Sequence, residues 1–492
     1  MVKGQRIAFW TPENRFTTNE DPRTVTLVVT SHQTSVRARV SACPSGLAGC
    51  VPGGAAFTLP VPPSGEVELR FPLSSQPTTL DVQRRPFHPL YLAFLGCLVA
   101  ALALLFDGEA RVVAVAAALT GGLYFSQTLG QSRGLDVSGH LAHVQKIAQD
   151  GIFVQAQSCW ECFHPPLYYL MASAFLGFTT MLRPSGATML QGLALLLHCL
   201  CVPLVVAALR PLARGRAELL LYSALVCLWP AAVLASARLG NDGLLNVFAF
   251  GVLLFLAREQ FLAAALAAAA ALLVKDSAVV LVALVGCMVV FSSRNRGRPL
   301  WVLAGGLGIA WLVRVLKHYD PARMEALSSD MRVSNTFVNV AGFDPWAFVN
   351  SAFVSPWTPE VNRDHLQNYF WKTSLFGEWS YHFSLSPQFA GLLSVGLLVL
   401  LLVAAVAWWR DGRAVLPALS LFLAFAAITG YRLIHNFACN PDFRFVYPLV
   451  ALSLGMILAQ ARGWRGEAAR WVTVGFLGLS QVIFVLHWWF EA

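Results

Sequence analysis

The chain has 492 residues, 57% of them hydrophobic and only 12% charged, where a soluble domain carries roughly 25% charge. That balance excludes an ordinary soluble enzyme, because apolar runs able to cross ~30 Å of hydrocarbon recur along the chain. The net charge of +9 comes largely from Arg in short loops, as the positive-inside rule expects, and does not point to nucleic acid.

Residues 1 to about 87 differ from the rest. The stretches "TVTLVVTSHQTSVRARVSA" and "GEVELRFPL" alternate polar and apolar residues, as half-buried strands do. Pro and Gly punctuate them, as in "CPSGLAGCVPGG". These features predict a small N-terminal β-sandwich-like domain over 1–87. Nothing before it reads as a signal peptide or a first membrane helix.

Thirteen apolar segments follow, at 89–106, 111–130, 164–182, 188–209, 218–236, 243–257, 260–273, 276–291, 299–316, 386–408, 413–430, 444–461 and 471–489. The expected fold is a polytopic α-helical membrane protein of about twelve transmembrane helices plus one interfacial or re-entrant helix. The membrane domain spans 88–492, with outer loops at 131–187 and 317–385. The Ala-rich stretch "FLAAALAAAAALLV" reads as a tightly packed helix. No long internal repeat is visible, which weakens a transporter built from inverted repeats.

Four short Arg-rich loops, 210–216, 294–298, 410–413 and 462–470, predict the cytoplasmic side. Counting crossings from them puts 237–242, 274–276, 317–385 and 431–443 outside. Asp136 joins the outer face only if 164–182 does not cross. The pair Pro165–Pro166 favours that choice, because it starts a helix abruptly after a polar loop. The β domain then also lies outside and requires an export segment upstream, while Arg84 and Arg85 beside the first helix argue mildly the other way.

Under this topology the titratable residues converge. Asp136, His140, His143, Glu161 and His164 lie in the first outer loop, and Asn241 and Asp242 at the next outer turn. Lys275 and Asp276 interrupt an apolar run, Glu378 lies in the long loop, and His435, Asp442 and Arg444 lie in the last outer loop. Ionisable groups at membrane depth are costly and mark pathways or sites. Each has an ordinary reading as well. Asp136 and His140 fit a pair on one helix face, and Lys275 fits a snorkelling lysine. Glu161 and Glu378 fit solvated loop charges, and Asn241–Asp242 a turn and helix cap. His140 and His143 with Asp136 are candidate metal ligands at a spacing that is not a strong zinc signature. Of the ten cysteines, Cys97, Cys199, Cys201, Cys227 and Cys287 read as packing residues. The close pairs Cys43/Cys50 and Cys159/Cys162 fit disulfides in an oxidising compartment or plain thiols.

The stretch "GLDVSGHLAHVQKIAQDG…FHPPLYYLMASAF" resembles the GT-C superfamily of membrane glycosyltransferases that use a polyprenyl-phosphate sugar donor. Within that superfamily it is most similar to the bacterial protein O-mannosyltransferase and aminoarabinose transferase relatives. In that group an acidic residue follows an early membrane helix, then a polar helix, then an "H/K-P-P-L-Y-Y" segment lying along the membrane surface. The "GNDGLLN" and "DFRFVYP" stretches also resemble the group, and the likeness runs over roughly 89–492. Here Asp136 follows the second hydrophobic segment rather than the first, and Val137 stands where many relatives carry a second acid.

The resemblance implies a cell-envelope enzyme, a hexosyl- or pentosyltransferase in the inner (plasma) membrane. It would move sugar from the lipid donor to a hydroxyl of a lipid, glycan or protein acceptor on the extracytoplasmic face. Asp136 is then the general base, and Lys275 and Arg444 contact the phosphate, with His164 as a third. Direct attack on the anomeric carbon would invert it. His140, His143, Glu161, Asp242, Glu378 and His435 complete the expected substrate pocket. No cofactor is fixed, and a divalent metal stays open. A transporter or flippase of lipid-linked saccharides, or an assembly factor using the β domain, are the competing readings. The clustering of charges at one end, rather than through the depth of the bilayer, favours an enzyme.

Overall fold

The structure is a computed structural model. It describes residues 89–127, 136–179, 186–292, 297–319, 331–351, 353–354, 361–377, 385–411 and 414–491, together with the backbone of six strands in the first 88 residues. These are β1 (Gln5–Phe9), β2 (Thr24–Thr30), β3 (Ser35–Val40), β4 (Ala56–Pro60), β5 (Glu66–Pro72) and β6 (Thr78–Gln83). They pair antiparallel as one sheet in the order β1-β6-β3-β4 and a second of β2 with β5. Face-to-face packing of the two sheets, and the pair Cys43/Cys50, lie outside the described residues.

The apolar segments form helices: α1 (Pro89–Leu105), α2 (Gly108–Gln127), α3 (Val137–Asp150), α4 (Leu167–Thr179), α5 (Gly186–Leu209), α6 (Arg216–Cys227) and α7 (Pro230–Ser236). Then come α8 (Asp242–Ala257), α9 (Phe261–Leu272), α10 (Val279–Ser292) and α11 (Gly297–Leu316). Short helices α12 (Phe337–Ala341), α13 (Pro345–Asn350), α14 (Val361–Asp364) and α15 (Leu366–Phe376) occupy the long loop, before α16 (Ser386–Asp411), α17 (Val415–Ile434), α18 (Tyr447–Gln460) and α19 (Gly463–Glu491). Among the described residues five helices are long and apolar enough to cross a membrane, or six with the bent pair α6–α7. Several more are apolar but only 10–17 residues long. The predicted segment 218–236 is broken by 60° between α6 and α7. Pro230 opens α7 there, since a ring nitrogen cannot continue the preceding hydrogen-bond ladder. The predicted loop 462–470 is mostly the first two turns of α19, where Arg470 pairs with Glu218 and Glu467.

Ion pairs gather one end of the bundle. Glu109, at the α1–α2 turn, meets Arg210 at 3.1 Å and Arg216 at 3.5 Å. Glu218 meets Arg214 at 2.9 Å and Arg470 at 2.8 Å, and Arg214 donates to the Ala461 carbonyl. Backbone and amide bonds gather the other end. Leu167 N–H donates to Leu273 C=O, Ala156 N–H to Lys317 C=O, Gln191 to Ala237 C=O, and Asn241 to Val274 C=O. Both ends of α4 lie at this second end: Leu167 is tied to Leu273, and Gly186 faces Leu176 and Leu141.

Candidate active site

The first loop builds its own buried pocket. Along α3 the inward positions Val137, His140, Val144 and Ile147, with Gly139 and His143, follow the three-and-four spacing of one helix face. That face carries both histidines under α4. The His143 ring stacks on Tyr169 with centroids 3.7 Å apart, and His140 Nδ1 lies 2.7 Å from the Tyr169 hydroxyl. Glu161 is 4% exposed. Its carboxylate lies 2.8 Å from His164 Nε2 and 4.0 Å from His140 Nδ1. Asp136 ends the loop before α3, and its carboxylate accepts a hydrogen bond from Trp160 Nε1 at 3.1 Å.

Burial sets the protonation of this pocket, because a desolvated site disfavours charge. It pushes the Glu161 carboxyl up to about 7, against the pull of His140. It pushes His140 down to about 4 and His164 to about 3. His143 is driven down as well, by burial and then by the Lys317 ammonium. At neutral pH the three imidazoles are uncharged, and Glu161 is poised between its two forms.

Beside this pocket stands a group of acids and cations. Asp242 opens α8 and pairs with Lys275, which follows α9. Asp442 Oδ2 holds Arg444 Nε at 3.1 Å, while its other oxygen caps the Arg444 backbone N–H. Lys275 and Arg444 flank one aromatic ring, that of Phe445, at 4.8 Å and 5.0 Å from its centroid. A small, partly open cavity is lined by Arg238, Asp242, Asp442, Arg444, Tyr124 and Thr373, among others. Burial raises the Asp442 carboxyl to about 7 although Arg238 and Lys275 draw it down. The two groups are electrostatic neighbours: Lys275, Asp242 and Asp136 all act on Glu161 and on His164.

Of the predicted residues, Asp136, His140, His143, Glu161 and His164 come together, with Asp242, Lys275 and Arg444 alongside. His435 ends α17 with its ring against Tyr431 and its carbonyl bound by Asn440. Glu378 lies outside the described residues. Among the described residues no three His, Cys, Asp or Glu side chains assemble a metal site. The His140–His143–Asp136 set does not fit one either: His143 Nε2 faces the Lys317 ammonium at 3.3 Å, a cation where a metal ligand's lone pair would be needed. Cys159 and Cys162 form a disulfide.

Lys317, Arg238, Trp160 and Tyr169 were not singled out from the sequence. Lys317 donates to the His164 carbonyl at 2.6 Å and sits at the end of an apolar segment, as Lys275 does. The rule that drew attention to one points equally to the other.

No family model and no curated protein matches the sequence. Among the solved structures that it resembles are ArnT from Cupriavidus metallidurans bound to undecaprenyl phosphate, at 19% identity and a TM-score of 0.35, and the same protein in the apo state, at 16% and 0.30. Each comparison covers 75% of this chain and 77% of the other.

Proposed function

We propose that this protein is an integral-membrane glycosyltransferase that moves a sugar from a polyprenyl-phosphate donor to an acceptor hydroxyl on the extracytoplasmic face. The site needs a base for the hydroxyl and cations for the leaving phosphate. Asp136 takes the hydroxyl proton as the acceptor oxygen bonds to the anomeric carbon. The bond from that carbon to the phosphate oxygen breaks, with inversion, and the phosphate keeps the electron pair. Lys275 and Arg444 receive its charge, the lysine as a point charge and the arginine as a fork. Arg238, on the wall of the same cavity, joins them. Residues 1–87 form an outer β domain, and 88–492 the membrane domain of about twelve crossings with α4 along its outer surface.

The observation that carries the reading is the shared ring of Phe445, which brings Lys275 and Arg444 to one place within electrostatic reach of the Asp136 loop. The test is Asp136→Asn in purified protein, assayed for transfer and for donor-lipid binding. Transfer should fall by about 10² to 10⁴, the usual worth of a general base, while donor binding and thermal stability persist. Near-normal turnover in the folded variant would return Asp136 to a structural role.

A further inference from the structure

The sequence "SCWEC" closes on itself. Cys159 and Cys162 are bonded at a separation of three in the sequence, and each of the two residues between them reaches a different residue of the site. Trp160 donates its indole N–H to Asp136, and Glu161 reaches His164. The ring also sits directly on α3. A Cβ at Gly139 would come within 2.7 Å of Glu161 Cγ, 3.1 Å of Trp160 Cδ1 and 3.2 Å of the Glu161 backbone nitrogen, and Cys159 Sγ lies 3.9 Å from the Gly139 carbonyl oxygen. Without that bond the indole would be an ordinary surface side chain, since Trp160 is 39% exposed. A hydrogen bond from such a side chain is held only as well as its backbone is held.

We propose that the disulfide-closed turn Cys159–Cys162 is a positioning element, with Trp160 as the positioning residue for Asp136 and Glu161 as that for His164. With the sulfurs bonded, both anchors press on the first turns of α3. With the sulfurs apart, both loosen and Asp136 loses its fixed direction. This deepens the proposed function and rests on its reading of Asp136 as the base. It also fits the outer-face topology, because such a bond persists in an oxidising compartment. Reduction is a two-electron step: the Sγ–Sγ bond breaks, each sulfur gains a hydrogen, and a dithiol reagent leaves with its own two sulfurs joined.

The test uses the full chain in lipid nanodiscs, before and after dithiothreitol, with alkylation and mass spectrometry reporting the state of Cys159 and Cys162. Two readouts are taken: hydrogen exchange of the peptide 136–147, and transfer turnover. Reduction should speed exchange in the first turns of α3 and cut kcat by about tenfold, the kinetic equivalent of one hydrogen bond to a charged group. The donor KM should stay unchanged, and reoxidation should restore both values. Cys159→Ser/Cys162→Ser should sit at the reduced values whatever the reagent. Gly139→Ala, which lifts the turn with the bond intact, should mimic reduction. Trp160→Phe should lose the same tenfold in kcat alone. Unchanged exchange in protein shown to be reduced, or in the double serine variant if the native bond resists the reagent, overturns the proposal. Faster exchange on reduction in a protein that transfers from no polyprenyl-phosphate donor leaves the positioning role standing and removes the glycosyltransferase reading instead.

Discussion

Lys275 is only 8% exposed and is paired with Asp242 at the mouth of the bundle. Breaking a buried pair strands the remaining charge and costs about 3–5 kcal/mol, whereas neutralising both partners together costs far less. Lys275→Met should therefore lower the thermal stability of the purified protein, and Asp242→Asn added to it should recover most of that loss. If Lys275 also holds the phosphate, transfer stays lost in the recovered double variant. A double variant with both stability and turnover restored would make Lys275 a purely structural cation. This residue was legible in the sequence because a lysine between apolar runs has no inexpensive solvent-exposed position. The contact between Asp136 and Trp160 was not. Its partners are 24 residues apart, and no periodicity or spacing rule links a residue before a helix to the inside of a disulfide loop.

The turn of residues 161–164 behaves as a unit whose charge state follows pH. Glu161 has a carboxyl raised to about 7 by burial, well above an ordinary glutamate. The folded state therefore holds a proton that the unfolded chain has already released. Its stabilising contribution is full below the ordinary glutamate range and is lost as pH rises through about 7. Glu161→Gln keeps the shape and a hydrogen bond to His164 but never ionises. The difference in Tm between the variant and the parent should move in favour of the variant between pH 5 and pH 8. An equal difference at both pH values would mean that Glu161 does not titrate there. The histidines of the pocket are common to both proteins and cancel from the comparison. At this scale the sequence was legible where one signal dominated. Predicted segments such as 188–209 and 243–257 differ from α5 and α8 by two residues or fewer at either end, because the demand for apolar length is a strong constraint. It misread 462–470 because α19 carries Arg470 and Glu467 on its first turns, where the arginine reaches Glu218. A charge count sees a loop where long side chains allow a helix to extend past the hydrocarbon.

For the molecule as a whole, the ion pairs of Glu109 and Glu218 and the titratable group around Glu161 occupy opposite ends of the bundle, so a membrane crossed by the bundle separates them. The turn at Glu109, the loop 210–216 and the start of α19 are bound to one another. They share a side whichever compartment it faces, and their excess of Arg predicts that this side is the cytoplasmic one. The loop of Asp136 is tied to the ends of α9 and α11 at the other side. Single cysteines should report this in a background where the other reactive thiols are removed and the Cys159–Cys162 bond is kept. Trp464→Cys, at a residue 70% exposed at the first end, should resist a membrane-impermeant maleimide in intact cells and react once they are opened. Gln157→Cys, exposed in the loop before the disulfide, should react without opening. Labelling of both from the same side would contradict the arrangement of the bundle. Labelling of Gln157→Cys only from within would keep the bundle but turn the site to the cytoplasm. In that compartment glutathione and thioredoxin keep thiols reduced, so the disulfide turn, the outer β domain and the extracytoplasmic transfer would fall together.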